Sequence, residues 1–458
     1  MFAQKKQQEM EQLLHYVWKH RIFPLQGLQT TDGQTVEVID CGLPNRHAGP
    51  DFFNAKVKIN GTLWVGNVEI HERASDWYAH HHNRDTAYDN VVLHVCQTID
   101  RKVTRSDGEP IPQLCLPVPE SVQQNYQTLL TDDRYPPCRQ TVETLPPINV
   151  HAWLNTLCVE RLEQKTELIT QRVTQSNGNW ENAYFETLAR SFGFGVNGDV
   201  FERWARQIPL IAVGRHRDNP LQVEAIFIGQ AGLLDAENIP ERHREETLCD
   251  PYFQQLLAEY RYLAHKLSLK PMDGASWRFL RLRPQNFPHI RLAQLTNLYC
   301  LGKTSLSKLT ECRTAKQMSD LLRTGVTPYW QTHYLFGRES TESTKQLSAR
   351  SLQLLIINAA IPTLFAYGRH LGKEEWCERA VALLDEIRAE DNHITRTWQT
   401  ARIPIKTAAD SQGLVQLKND YCDKKACLRC RFGHEHLKAT ARPLSTTSKE
   451  NMRGGSLI

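Results

Sequence analysis

The sequence predicts an α+β protein: a mixed sheet with flanking helices first, then a mainly α-helical region, then a small Cys-rich end. Three observations carry this. Up to about residue 120, one opening helix is followed by short Val- and Ile-rich runs punctuated by Gly33, Gly42, Gly49, Gly61 and Gly108, the texture of strands and turns. From about 148 to 400 apolar residues recur at helical spacing, as at Trp153, Leu154, Leu157, Cys158 and Leu162. Between them, Pro117, Pro119, Pro136, Pro137, Pro146 and Pro147 bracket one helix in a stretch with linker chemistry. With 458 residues the chain exceeds one ordinary domain. It divides into an α/β domain over 1–125, a connector over 126–147, a helical domain over 148–400, a Cys/His segment over 401–438, and a disordered tail over 439–458.

A hydrophobic fraction of 40% with 23% charged residues excludes wholesale disorder, a collagen repeat and a coiled-coil rod. Mean hydropathy is −0.50, and no unbroken apolar run approaches a membrane span. The most apolar window, Leu354 to Tyr367, contains Asn358 and Pro362 and is expected to be a buried, interrupted helix. No apolar run follows Lys5 and Lys6, so no secretory signal is read and a cytoplasmic location is expected. Further helices are expected over 251–267, 291–301, 316–323, 346–370 and 373–389, with a shorter one through Ala183, Phe185 and Leu188. Gly229-Gln230-Ala231-Gly232 lacks the Lys-Ser/Thr ending of a phosphate loop and is read as tight helix packing. The net charge of +4 is too small to imply a polyanionic partner by itself.

The most informative stretch runs from Asn45 to Cys96. Val57-Lys58-Ile59 ends at Asn60-Gly61, a strong hairpin signal, and the return strand reads Leu63 to His71. Alternation places Glu69 and His71 on one face and Val68 and Ile70 on the other. A divalent cation explains two polar side chains opposite an apolar face. Asp51 and Glu69, 18 residues apart across the hairpin, would meet on adjacent strands and hold magnesium or manganese. The Ile70 carbonyl would add a ligand, and His71 would act on the attacking water as a base or orienting group.

Pro50-Asp51 followed by Glu69-Ile70-His71 resembles the PD-(D/E)XK nuclease signature, in which an Asp, a second acid and a Lys surround one or two magnesium ions. The resemblance implies a PD-(D/E)XK-like sheet and a further acid on the opening helix, a position matched by Glu11. His71 departs from the pattern, because a neutral imidazole brings no permanent positive charge. The chain is also similar, from Glu11 to His436, to a family of uncharacterised bacterial proteins known as a domain of unknown function. The shared blocks include Ala48-Gly49-Pro50-Asp51-Phe52, Val68-Glu69-Ile70-His71, Ser75-Asp76-Trp77, Tyr88 to Val95, Arg283-Pro284-Gln285-Asn286-Phe287-Pro288 and the Cys cluster.

A second metal reading, a zinc or manganese hydrolase, uses His71, His94 and one of His80, His81 and His82, with His81 and His82 read as exposed loop imidazoles. At the far end, Cys422, Cys427 and Cys430 with His434, or His436 as second choice, fit a Cys3His zinc site; an iron–sulfur cluster is the alternative. Lys424, Lys425, Arg429 and Arg431 beside them are candidate nucleic-acid contacts. The arginines among Trp277 to Arg291 are expected to pair with acids in the helical region. The function expected is magnesium-dependent hydrolysis of DNA or RNA by Asp51, Glu69 and His71, with Glu11 as a further ligand. The alternatives are a non-catalytic nucleic-acid-binding or scaffold protein, and a small-molecule metal hydrolase.

Overall fold

Asn60 and Gly61 adopt the left-handed conformations their turn demands, with φ of 52° and 82°. The hairpin they close is the centre of a seven-stranded sheet in a computed structural model that describes residues 2–45 and 47–439. From residue 440 onward, the expected disordered tail lies outside the described residues. The chain is mixed α and β as expected and forms two compact units. The first comprises 1–146, 400–403 and 418 onward; the second comprises 147–399 and 404–417.

The first unit opens with α1 (Phe2–Lys19), whose Leu13, Leu14, Val17 and Trp18 are fully buried. The strands are β1 (Leu28–Gln29), β2 (Thr35–Asp40), β3 (Leu43–Pro44), β4 (Phe52–Ile59), β5 (Thr62–Arg73), β6 (Val91–Thr98) and β7 (Gln113–Cys115). They lie in the order β1-β2-β4-β5-β6-β7, with β3 beside β4. β4 and β5 are antiparallel, whereas β5, β6 and β7 run parallel. The crossover from β5 to β6 carries α2 (Asp76–Ala79) and two short 3-10 turns. β5 changes character along its length. Leu63, Trp64 and Val65 are exposed, whereas Val68 through His71 are buried on both faces. Beyond the sheet come α3 (Glu120–Thr131), the helix bracketed by prolines, and α4 (Arg139–Val142).

The second unit is helical. α5 (Pro147–Gln175) and α6 (Trp180–Phe192) include the two stripes read from the sequence, and the Asn179 side chain caps α6 by accepting the Asn182 N–H. The helices Pro251–Leu267, Pro288–Cys300, Ala315–Leu322 and Glu374–Asp385 stand where periodicity placed them, within a few residues. The helix Pro220–Gln230 was missed: it is buried nearly all round and has no polar face to mark its period. Gly229 and Gly232 serve close packing, as expected: a Cβ on Gly229 would lie 2.3 Å from the Tyr260 ring, and one on Gly232 would lie 2.2 Å from the Met272 carbonyl oxygen.

The apolar window is a helical run over Ala349–Leu371 with a π-helical turn at Ile356–Ala360. It is the one helix among the described residues long and apolar enough to cross a membrane, but 72% of an 18-residue apolar window within it is buried inside the protein. Arg291 departs from the expected pairing with acids: it binds the amides of Gln294 and Asn286 and lies 4.4 Å over the Phe194 ring.

Close packing also makes a prediction. A Cβ on Gly413 would stand 2.3 Å from the Leu154 carbonyl oxygen, within the contact between the helix Ala408–Gln416 and α5. Gly413→Ala should cost about 1–3 kcal/mol of stability, read as a lower urea midpoint by circular dichroism.

Candidate metal centre

Two reciprocal hydrogen bonds join β4 to β5 where the sheet closes over its polar side chains. The Asp51 N–H donates to Glu69 Oε2 at 3.0 Å, and the Ile70 N–H donates to Asp51 Oδ2 at 2.9 Å. The two acids therefore meet across the strands, as their spacing required. What Ile70 contributes is its N–H, used by Asp51. The pairing register shifts between Phe52 and Ala55, immediately beyond this clasp.

Glu69 Oε2 is occupied by the clasp, and Oε1 points into a histidine cluster. Oε1 lies 3.6 Å from His71 Nε2 and 3.3 Å from His82 Nε2. His71 Nε2 lies 3.2 Å from His80 Nδ1, and on its other side His71 Nδ1 lies 2.8 Å from His94 Nε2. The parallel register explains this last contact: Glu69 stands opposite His94 and His71 opposite Cys96. His81, with φ of 63°, turns the chain between His80 and His82. His82 then stacks on Tyr88 at 3.8 Å, and Trp77 lies edge-on to it at 5.4 Å.

His81 is exposed, as expected, but His82 is 8% exposed, which corrects the reading of both as loop imidazoles. An available signal was Trp77 and Tyr88 flanking the triplet, two aromatics that need something to pack on.

Glu11 and His15 complete the surroundings from α1. His15 Nε2 lies 3.3 Å from Asp51 Oδ2. Burial works to lower the His15 pKa, but the Asp51 carboxylate outweighs it and the net shift is upward. Burial raises the Glu11 carboxyl, and the charge of Asp51 adds to that while His15 opposes it. Glu69 is driven well upward by burial and then by Asp51. The imidazoles move the other way. Burial, reinforced by His94, His80 and His82, holds His71 well below its ordinary value; burial also lowers His82, and takes His94 down to about 3. Neutral imidazoles are the form that binds a metal.

The residues fit a divalent ion. Ligand nitrogens of His71, His80 and His82 all lie within 4.8 Å of one another, with Glu69 Oε1 alongside. His82 Nε2 is buried and makes no hydrogen bond, although it lies 3.3 Å from Glu69 Oε1. The structure thus places Asp51, Glu69, His71 and Glu11 near one another, sets His94, His80 and His82 of the second metal reading beside them, and adds His15.

The Cys end belongs to the first unit. Cys427 and Cys430 are buried and Cys422 half-buried, on either side of a short 3-10 turn, Cys427–Arg429. His434 is engaged elsewhere: its Nδ1 lies 2.6 Å from the Tyr16 hydroxyl, and its ring 4.7 Å from that of His20. His436 Nδ1 lies 2.8 Å from Thr141 Oγ1. Lys424, Lys425, Arg429 and Arg431 are exposed, with Lys424 paired to Asp420.

The model of the family described as "Protein of unknown function (DUF2851)" matches residues 11–393, and the chain belongs to that family. The match takes in every residue of the histidine cluster and ends before the clustered cysteines. No curated protein and no solved structure matches the chain.

His94 accepts a proton far more readily when unfolded than when folded. Its stabilising contribution is therefore whole above the ordinary histidine pKa of about 6.5. It is lost as pH falls toward the folded value of about 3. Glu69 and Glu11, raised on folding, act in the opposite sense, so the comparison between variants carries the test. Chelator-treated His94→Gln should lose less melting temperature than wild type between about pH 7 and pH 4. Parallel pH profiles would show that His94 is not held neutral.

Proposed function

We propose that the chain is a metal-dependent hydrolase of phosphodiester bonds in DNA or RNA, with its ion held by Glu69, His71, His80 and His82. One observation carries the reading: the buried, unbonded Nε2 of His82 faces the imidazoles of His71 and His80 at ligand spacing and the carboxylate of Glu69. Three nitrogen donors favour manganese, zinc or ferrous iron over magnesium, which prefers oxygen. Of the two ions the sequence suggested, manganese is the better match. The ion would supply Lewis-acid activation of water and of a phosphoryl oxygen.

The surrounding residues have separable roles. His71 Nδ1 lies 2.8 Å from His94 Nε2, and the tautomer in which Nδ1 carries the hydrogen would leave the Nε2 lone pair of His71 for the ion. Asp51 holds the backbone at Ile70 and so aims Glu69. His15, whose cationic form Asp51 favours, supplies the positive charge that a neutral His71 lacks. Glu11, with its raised pKa, is suited to protonate a leaving oxygen.

The substrate class rests on the PD-(D/E)XK resemblance, whose residues gather at this one site. The exposed Lys425, Arg429 and Arg431, with Lys424, are the cations we assign to backbone phosphates. Cysteines outside any disulfide suit the reducing cytoplasm.

Calorimetric titration should show Mn²⁺ and Zn²⁺ binding more tightly than Mg²⁺ in wild type and failing in His82→Ala. His94→Ala should weaken binding about 10–100-fold. With Mn²⁺ and single- and double-stranded DNA and RNA as substrates, Glu69→Gln should lower cleavage at least about 100-fold. Asp51→Asn is the informative partner variant, because Asp51→Ala also removes the acceptor of the Ile70 N–H. Magnesium binding indifferent to His82→Ala would return the ion to Glu11, Asp51 and Glu69. Metal binding without cleavage of any of the four substrates would defeat the nuclease reading and leave the nucleic-acid-binding scaffold.

A further inference from the structure

The thiols of the C-terminal segment have a neighbour that sequence spacing does not reveal. Cys138, 7% exposed, is the residue that opens α4, and Cys430 is the residue that opens the helix Arg431–Lys438. These two helices pack on each other, joined by Thr141 Oγ1 and His436 Nδ1 at 2.8 Å. After burial, the influences acting on the Cys138 thiol are Cys430, Cys422 and Cys427, in that order, and together they hold it well above its ordinary range. Cys138 therefore stands at the start of a helix packed on the one that Cys430 opens, within electrostatic reach of the three clustered thiols, and none of the four is in a disulfide.

The backbone around them is constrained. The Cys430 N–H donates to the Cys427 carbonyl at 3.2 Å, the Lys425 N–H to the Cys422 carbonyl at 3.1 Å, and the Ala426 N–H to the Tyr421 carbonyl at 2.8 Å. A Cβ on Gly433 would stand 2.1 Å from the Cys427 carbonyl oxygen, so only glycine lets the last helix close over the Cys427–Cys430 turn.

We propose that Cys138, Cys422, Cys427 and Cys430 form a four-thiolate site for a thiophilic metal centre, a zinc ion or an iron–sulfur cluster, that fastens the C-terminal segment to the N-terminal unit. Cys138 takes the place assigned by spacing to His434, whose nearest polar partner is Tyr16 and whose electrostatic neighbours are Lys438, Glu435 and Arg431. Four thiolates around a zinc ion or an oxidised cluster leave a net double negative charge, and the exposed Lys425, Arg429 and Arg431 stand close in sequence to balance it. A single metal here closes a chain loop between residues 138 and 422, so binding stabilises a segment with little core of its own. The ligands are distinct from the histidine cluster, so this proposal stands or falls apart from the hydrolase reading.

The test is metal and acid-labile sulfide analysis of the full chain purified without oxygen. Wild type and His434→Ala should carry about one centre per chain, and Cys138→Ser less than about a tenth of that. Zinc without sulfide identifies the single ion; iron with equimolar sulfide and reducible visible absorption identifies the cluster. A His82→Ala background removes any zinc or iron held by the other site. Should Cys138→Ser fail to fold, mercurial titration of the thiols in native wild type on that background must release the metal as four thiols react. Absence of metal, or metal that survives Cys138→Ser and is lost in His434→Ala, overturns the proposal.

Discussion

The clasp between Asp51 and Glu69 is the constraint on which the candidate centre depends. Each acid accepts a backbone N–H at the other's strand, so a pair of carboxylates that would repel is instead held by two hydrogen bonds. A hydrogen bond to a charged group is worth about 1.5–3 kcal/mol, and here it also selects a rotamer. With Oε2 tied to Asp51, Glu69 can present only Oε1 to His71 and His82. The burial that raises the Glu69 pKa is tolerable because the surrounding donors and a cation can share its charge.

The histidines answer the same constraint from the other side. A buried imidazole resists protonation, and His71, His82 and His94 are all lowered by burial, which leaves lone pairs rather than positive charges beside Glu69. An acid kept from ionising and bases kept from protonating are opposite departures with one cause, removal from water. The proposed divalent ion would give the carboxylate its counter-charge and bind the imidazoles in the unprotonated form that burial already favours.

Legibility followed locality. Asn60-Gly61 and the alternation from Val68 to His71 indicated a hairpin that brings Asp51 near Glu69, because turn chemistry and a two-residue period act over short distances, whereas the register shift between Phe52 and Ala55 was not legible. Glu11 was singled out by resemblance alone and lies within electrostatic reach of Asp51. His82 was misjudged because its burial depends on stacking with Tyr88 after a left-handed residue, a matter of loop conformation that periodicity does not report. Cys138 was passed over among the scattered cysteines, since it lies 284 residues before Cys422 and spacing rules for metal ligands cover only neighbours in sequence. In the helical unit the long amphipathic α5 was found, whereas the nine-residue helix Gly198–Arg206 and the all-round buried helix Pro220–Gln230 were not, because a pattern needs both length and contrast.

The return of residues 418–439 to the first unit has a consequence for biogenesis. The sheet and its histidines leave the ribosome early, but the last pieces of that unit emerge only after the whole helical unit, about 270 residues later. At roughly 5–20 residues per second, the nascent sheet waits on the order of 14–55 seconds with one flank uncovered. During that interval the helical unit begins to fold as an insertion tied to its neighbour at its N-terminal end alone. Completion of the N-terminal unit is thereby a report that synthesis has reached the C-terminal cysteines, and a chain released early would leave Cys138, Tyr16 and Asn125 without the partners that the last helix brings.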